Sequence, residues 1–261
     1  MIVAYFQRGK LPLQKDILPE LMSDPIQTPT TKVPFQYSQK GVNYTIKPQY
    51  NYEIYGLVVA QNDNEVWYSR FKKLDPTNTK DFCVVWGKNI TSDVYRVADF
   101  KSEEFVCQIN FKTENPINRS YSNENLSNNH LLTANESVYQ AIRSAYIGDQ
   151  IKVKGYLVSY DSVTADGQRG SRGTSVSRTD EGMGACETIY VEDFQVLKEG
   201  NVIWRDIFKK CPYPIIGSAG LLVILFFISI LLSGFSKPGK PPEMPNKDLL
   251  IYNPDKKIDR P

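Results

Sequence analysis

Between Lys210 and Lys237 the chain runs 26 residues without a charge, and from Ile215 to Phe235 it reads IIGSAGLLVILFFISILLSGF. Twenty-one residues at 1.5 Å each reach about 31 Å, the depth of a bilayer's hydrocarbon core. A helix buried in a globular domain seldom lacks a polar face for so long. The segment therefore predicts a transmembrane helix over 213–235 that contacts membrane lipid. The mean hydropathy of -0.38 would by itself suggest a soluble chain, because the average dilutes this one stretch.

Charge divides along the same line. The chain holds 31 basic and 29 acidic residues. Residues 237–261 carry six of the basic and four of the acidic ones, so the net +2 belongs to the tail and residues 1–210 are neutral. No global basic field points to nucleic acid, and any anion-binding surface must be local. Lys198, Arg205, Lys209 and Lys210 before the span nearly balance Lys237, Lys240 and Lys247 after it, which leaves orientation open. MIVAYF is too short and lacks the basic start of a secretory signal. On that reading the domain stays in the cytoplasm. Residues 1–6 also read as the last turns of a helix that begins upstream, which would put the domain on the outer side between two spans. Either way the expected location is a membrane, the bacterial inner membrane, with the side of the domain undetermined.

Four regions follow. Residues 1–47 are a Pro-rich N-terminal arm, extended apart from a short helix near Leu13 to Met22. Residues 48–200 are a β-rich domain, 213–235 the span, and 236–261 a basic tail whose six prolines keep most of it from being helical.

Within the domain, Tyr50 to Ala60 alternates as a strand. A polar turn of helix follows, capped by Asn64, with Trp67 and Phe71 on its buried side. Asp81 to Gly87 (DFCVVWG) is apolar on both faces and so central. Glu104 to Lys112 alternates cleanly and is read as the third strand. After an Asn/Ser-rich loop, Thr133 and Glu136 form a T-x-x-E capping box for a helix that stops at Gly148. Ile151 to Leu157 is a strand with a basic wet face of Lys152, Lys154 and Tyr156. The last strand is Cys186 to Leu197, with a bulge near Glu192-Asp193 where its apolar parity changes.

The expected fold is thus mainly β with one or two helices. The order strand, strand, strand, helix, strand, strand resembles the OB-fold, a five-stranded Greek-key barrel with its helix between the third and fourth strands. GDQIKVKGYLV and TIYVEDFQVL look like the fourth and fifth strands of that family. An unrelated antiparallel barrel or α+β sheet is the alternative. The whole chain also resembles bacterial envelope proteins with one or two spans, which implies no activity.

No convergent set of acid, base and nucleophile marks an enzyme, and no catalytic residue, metal ligand or cofactor is assigned. Thiol chemistry would need Cys186 or Cys107 with His130, the single histidine, and neither cysteine lies in a family motif. Cys83, Cys107, Cys186 and His130 have the ligand types for zinc but not the close-spaced pairs. Cys83 and Cys107 are the candidate disulfide, should their strands be neighbours in an oxidising space. Sequons begin at Asn43, Asn89, Asn118, Asn125 and Asn135, as any Asn-rich loop set would produce.

Two basic loops carry the candidate ligand-binding residues. Loop 161–185 interleaves Arg169, Arg172 and Arg178 with glycines, which lets amides and guanidiniums approach an anion. Loop 61–80 places Arg70, Lys72, Lys73 and Lys80 beside Trp67 and Tyr68. The OB resemblance implies that these loops grip single-stranded nucleic acid, an anionic glycan or a lipid headgroup. A solvated hairpin tip is the plain alternative. The function expected from all of this is a non-enzymatic, membrane-tethered binding or assembly module, an accessory subunit with a protein partner in a membrane complex.

Overall fold

The computed structural model describes residues 2–63, 77–103, 106–179 and 186–234, with side chains left out at 212–216 and 232–234. The protein is mainly β, with one large sheet. Its strands are β1 (Ile26–Pro29), β2 (Phe35–Gln39), β3 (Val42–Asp63), β4 (Asn78–Val85), β5 (Ala98–Glu103), β6 (Val106–Phe111), β7 (Leu126–Leu132), β8 (Gln150–Thr164), β9 (Arg169–Arg172) and β10 (Cys186–Lys198). The described α-helices are α1 (Ile2–Gln7), α2 (Gly87–Thr91), α3 (Glu136–Ser144), α4 (Val202–Lys210) and α5 (Pro212–Gly234), more than the one or two expected.

β3 is the spine. Its 22 residues pair with β1, β2, β4 and β8. Its ladder with β8 slips between Pro48 and Tyr50, where proline has no N–H to offer. From β3 the ladders pass through β4, β7, β10 and β8, and β8 pairs with β3 again. All are antiparallel except β7 with β10. The expected bulge in the last strand lies where it was read, as a register shift between Val191 and Asp193.

The third strand of this path is not 104–112. Val106–Phe111 pairs only with Ala98–Glu103, in a separate two-stranded hairpin. β7, read as an Asn/Ser-rich loop, takes the place, and its residues Ser127 to Leu132 are buried. Periodicity could not find it, because LSNNHLL hides polar side chains on both faces.

The capping box is replaced as well. Asn135 caps α3, its side chain accepting from the backbone of Ser137 and Val138, while Thr133 bonds Val191 O. α3 ends at Ser144, and Gly148 lies beyond it with a positive φ of 93°. The polar turn expected from Asn64 lies outside the described residues.

The arm is less separate than its prolines suggest. Residues 2–211 form one compact unit, β3 already begins at Val42, and the arm contributes β1 and β2. Gln14–Asp16 and Pro19–Met22 are single 3-10 turns in place of the short helix. From them Ile17 and Leu21 pack on Leu57, Val59, Cys83, Val85, Ile90 and Tyr95. The opposite face of the sheet, with Tyr52, Ile54, Phe82, Val84, Leu131 and Val153, packs under Val138 and Ile142 of α3. β4 therefore has a core on each side, the central place its sequence predicts.

The second unit holds α5, 23 residues long, with Pro212 and Pro214 in its first turn where a missing N–H breaks no helical bond. Its described side chains, 217–231, are all exposed. Among the described residues no helix is long and apolar enough to cross a membrane.

Candidate functional site

The path of loop 161–185 decides what its arginines can do. β8 runs on to Thr164 and turns through Gly167, at φ 84°. β9 then comes back along it, with Val163 opposite Arg169 and Tyr160 opposite Arg172. The chain next crosses the start of β10. There Thr188 donates its hydroxyl to Gly173 O, and Ser175 N donates to Cys186 O. The described part of the loop is a strap pinned to the sheet.

The three arginines diverge as a result. Arg169 is exposed. Arg172 reaches Nε2 of His130, whose Nδ1 lies 2.5 Å from Asp81 Oδ1. Arg178 turns inward, donating to Glu187 Oε1 at 2.5 Å and to the Tyr52 hydroxyl at 2.9 Å, with its guanidinium over the Tyr52 and Trp86 rings. Burial, and then the Glu187 charge, push the Tyr52 hydroxyl up beyond the ordinary phenol range. A ligand that needed Arg172 or Arg178 would have to strip these partners first. From the other candidate loop, Trp67, Tyr68, Arg70, Lys72 and Lys73 lie outside the described residues, and Lys80 is buried in β4.

A polar seam on β4, β7 and β10 was not foreseen. Asp81, His130 and Thr188 stand opposite one another across the three strands, as do Cys83, Asn128 and Cys186. Guanidinium has no acceptor, so Nε2 of His130 accepts from Arg172 and Nδ1–H donates to Asp81. The imidazole lone pair is thereby committed within the seam. Cys186 accepts from Asn128 Nδ2 at 3.6 Å, and burial pushes its thiol up, which disfavours the thiolate a nucleophile needs. Asp81 opened a strand read only for its hydrophobic residues, and His130 sat in a segment read as loop.

Cys83 and Cys107 are disulfide-bonded, with their Cα atoms 5.7 Å apart. The bond ties the β5–β6 hairpin to β4, and it removes both thiols from the zinc set. Among the described residues no group of three or more His, Cys, Asp or Glu could hold a metal ion. Closing a loop across a sequence separation of 24 contributes about 3 kcal/mol by the chain-entropy account. Cys107→Ser should lower the urea midpoint accordingly, and dithiothreitol should do the same to the parent protein and nothing further to the variant.

All five sequon asparagines are used structurally: Asn43 Oδ1 accepts from Ser38 Oγ, and Asn135 caps α3. Asn89 Nδ2 donates to Ser122 O and Asn125 O, Asn118 Nδ2 to Thr113 O, and Asn125 Nδ2 to Asp24. No protein-family model, curated protein or solved structure matches the chain.

Proposed function

We propose that the chain is a non-enzymatic, membrane-tethered assembly module: an OB-type barrel held at a membrane by the apolar segment 213–235, serving as an accessory subunit of a membrane complex. The strand order supports the barrel. β3, β4, β7, β8 and β10 are linked in the sequence 1-2-3-5-4-1 of an OB domain, with a parallel pair between third and fifth and α3 between third and fourth.

One observation favours a protein partner over an oligonucleotide. OB domains grip nucleic acid on strands two and three, and here β4 is buried along its whole length while β7 is buried from Ser127 on. The arm, α2, the disulfide-tied hairpin and the strap occupy that face. The alternative, a single-stranded nucleic acid, anionic glycan or lipid headgroup held by loops 61–80 and 161–185, is left with Arg169 as its one exposed arginine among the described candidates. The Cys83–Cys107 bond favours an oxidising side for the domain.

Photocrosslinkers at exposed Val33, Val106 and Val176 in the full chain, activated in intact membranes, should give a discrete adduct with one protein. An oxidation-dependent reporter should be active at Gly41 and silent at Pro261. Absence of adducts at all three sites, together with gel-shift binding of single-stranded oligonucleotide lost in Arg169→Ala, would overturn the assembly reading in favour of its rival.

A further inference from the structure

A cavity of about 270 Å³ opens where the end of α1, the end of α3 and α4 meet above β4, all within the first compact unit. Five of its described lining side chains are basic: Arg8, Lys80, Arg143, Arg205 and Lys209. Two have carboxylate partners, Arg143 with Asp63 at 2.5 Å and Arg205 with Asp149 at 2.7 Å. Among the described residues the other three have none within ion-pair distance, which leaves three cations of the described lining without a carboxylate partner. The domain as a whole is neutral, which makes this local concentration informative.

Structural roles account for part of it. Lys80 donates to the carbonyls of Arg143 and Ala145 at 2.8 and 2.9 Å, and Arg205 donates to Ser144 O at 3.1 Å. Cations at the C-terminal carbonyls of α3 complement its dipole. These bonds use two of the three protons on a nearly buried ammonium and leave the third with no acceptor among the described residues. Nor do they explain Arg8. Among the described residues its guanidinium is held by rings alone, 4.1 Å from Phe208, 4.5 Å from Tyr5 and 5.5 Å from Tyr146. Lys209 is not needed at the end of α3 and lies in the last turn of α4.

We propose that this cavity is a phosphoryl-binding site, built for the phosphate of an anionic lipid headgroup or of a small soluble phosphate. Guanidinium forks match tetrahedral oxyanions, and one or two negative charges would offset the unpartnered cations and accept the free ammonium proton. The surroundings favour the lipid. The outer side chains of α1, Ile2, Val3 and Phe6, are exposed, as is Ile203 of α4, and the apolar segment 213–235 begins four residues after Lys209 in the chain. That preference rests on the membrane reading above; the binding of phosphate does not.

Affinity should fall with pH. Burial lowers the Lys80 ammonium to about 8; Arg143 and Arg205 push the same way, while Asp63 and Asp149 oppose them. Arg8 and Lys209 also face the cavity. A bound anion favours protonated Lys80, so binding is strongest below pH 8 and weakens as pH rises toward 9.5.

The test uses the full chain in neutral detergent, titrated at constant ionic strength with inorganic phosphate and with monomeric dihexanoyl phosphatidylglycerol. Binding would be read by calorimetry in the parent, in R8Q/K209Q and in the remote control Lys154→Gln. Neither substituted side chain makes a hydrogen bond among the described residues, so the double variant should keep the fold and melt only slightly below the parent, through the lost ring contacts of Arg8. Phosphatidylglycerol binding that weakens about tenfold in R8Q/K209Q, and not in the control, supports the site with a lipid as its source. Phosphate binding with the same dependence and no lipid binding supports it with a soluble source. Binding of neither probe, or binding indifferent to R8Q/K209Q, overturns the proposal. The phosphate titration needs no bilayer and no partner, so a positive result there stands even where crosslinking fails.

Discussion

Arg178→Ala is expected to lower the unfolding free energy by about 3 kcal/mol, the low end of what breaking a buried ion pair costs. The Glu187 side chain is 5% exposed and that of Arg178 is 28% exposed, so the carboxylate bears most of the penalty. Alanine would leave that charge in the sheet without its guanidinium and would also remove the donor to the Tyr52 hydroxyl. The paired substitution R178M/E187M should recover most of the loss, because two apolar side chains leave no charge stranded. Urea unfolding of both variants checks this. A loss below about 0.5 kcal/mol, the scale of a surface substitution, would mean that the arginine is a solvated loop residue, available to a ligand after all. The result bears on any binding assay that replaces Arg169, Arg172 and Arg178 together: lost binding would report unfolding as readily as lost contacts.

Trp86→Ala should cost about 3 to 5 kcal/mol, as large aromatic truncations in cores do. The ring is fully buried at the end of β4, lies under Arg178 and donates from its indole N–H to Asp24 Oδ1 at 3.2 Å. Asp24 belongs to the arm, so the truncation opens a cavity and releases the arm at once. Trypsin should then cut faster at Lys15 and Lys32 than in the parent. Trp86→Phe keeps most of the volume and loses the hydrogen bond, and should cost about 1 kcal/mol. Because Trp86 touches Arg178, the two alanine variants should combine non-additively. Equal trypsin rates in Trp86→Ala and the parent would show that the arm is held by other contacts.

Much of the sheet was legible because its strands advertise themselves. Tyr50 to Ala60, Ile151 to Leu157 and Cys186 to Leu197 carry the period-two pattern of a half-buried ribbon, and DFCVVWG the unbroken apolar run of a strand buried on both faces. The change of parity at Glu192 disclosed the bulge. β7 was illegible for the complementary reason. Ser127, Asn128, Asn129 and His130 are buried yet polar, and no pattern of hydrophobicity can reveal a strand whose side chains are satisfied by distant residues such as Asp81, Phe82 and Arg172. The clean alternation of 106–111 misled in the other direction, because a hairpin with one face on the domain has the same signature as a strand of the main sheet.

The candidate sites divide in the same way. Glycine and arginine in loop 161–185 suggested an anion grip, since composition records which groups are present and not where they point. The basic cavity draws Arg8, Lys80, Arg143, Arg205 and Lys209 from four separate stretches, and no local pattern shows that they converge.

By itself the sequence determined the apolar segment 215–235, the neutrality of residues 1–210 and the strand-rich character of the domain. These are properties of local composition and period, which a linear chain carries openly. The tertiary structure alone decided which strands are neighbours, that Arg178 serves Glu187 rather than solvent, that Cys83 meets Cys107, and that five cations converge on one cavity. Each of those depends on contacts between residues far apart in the chain, and burial gives such contacts their energy.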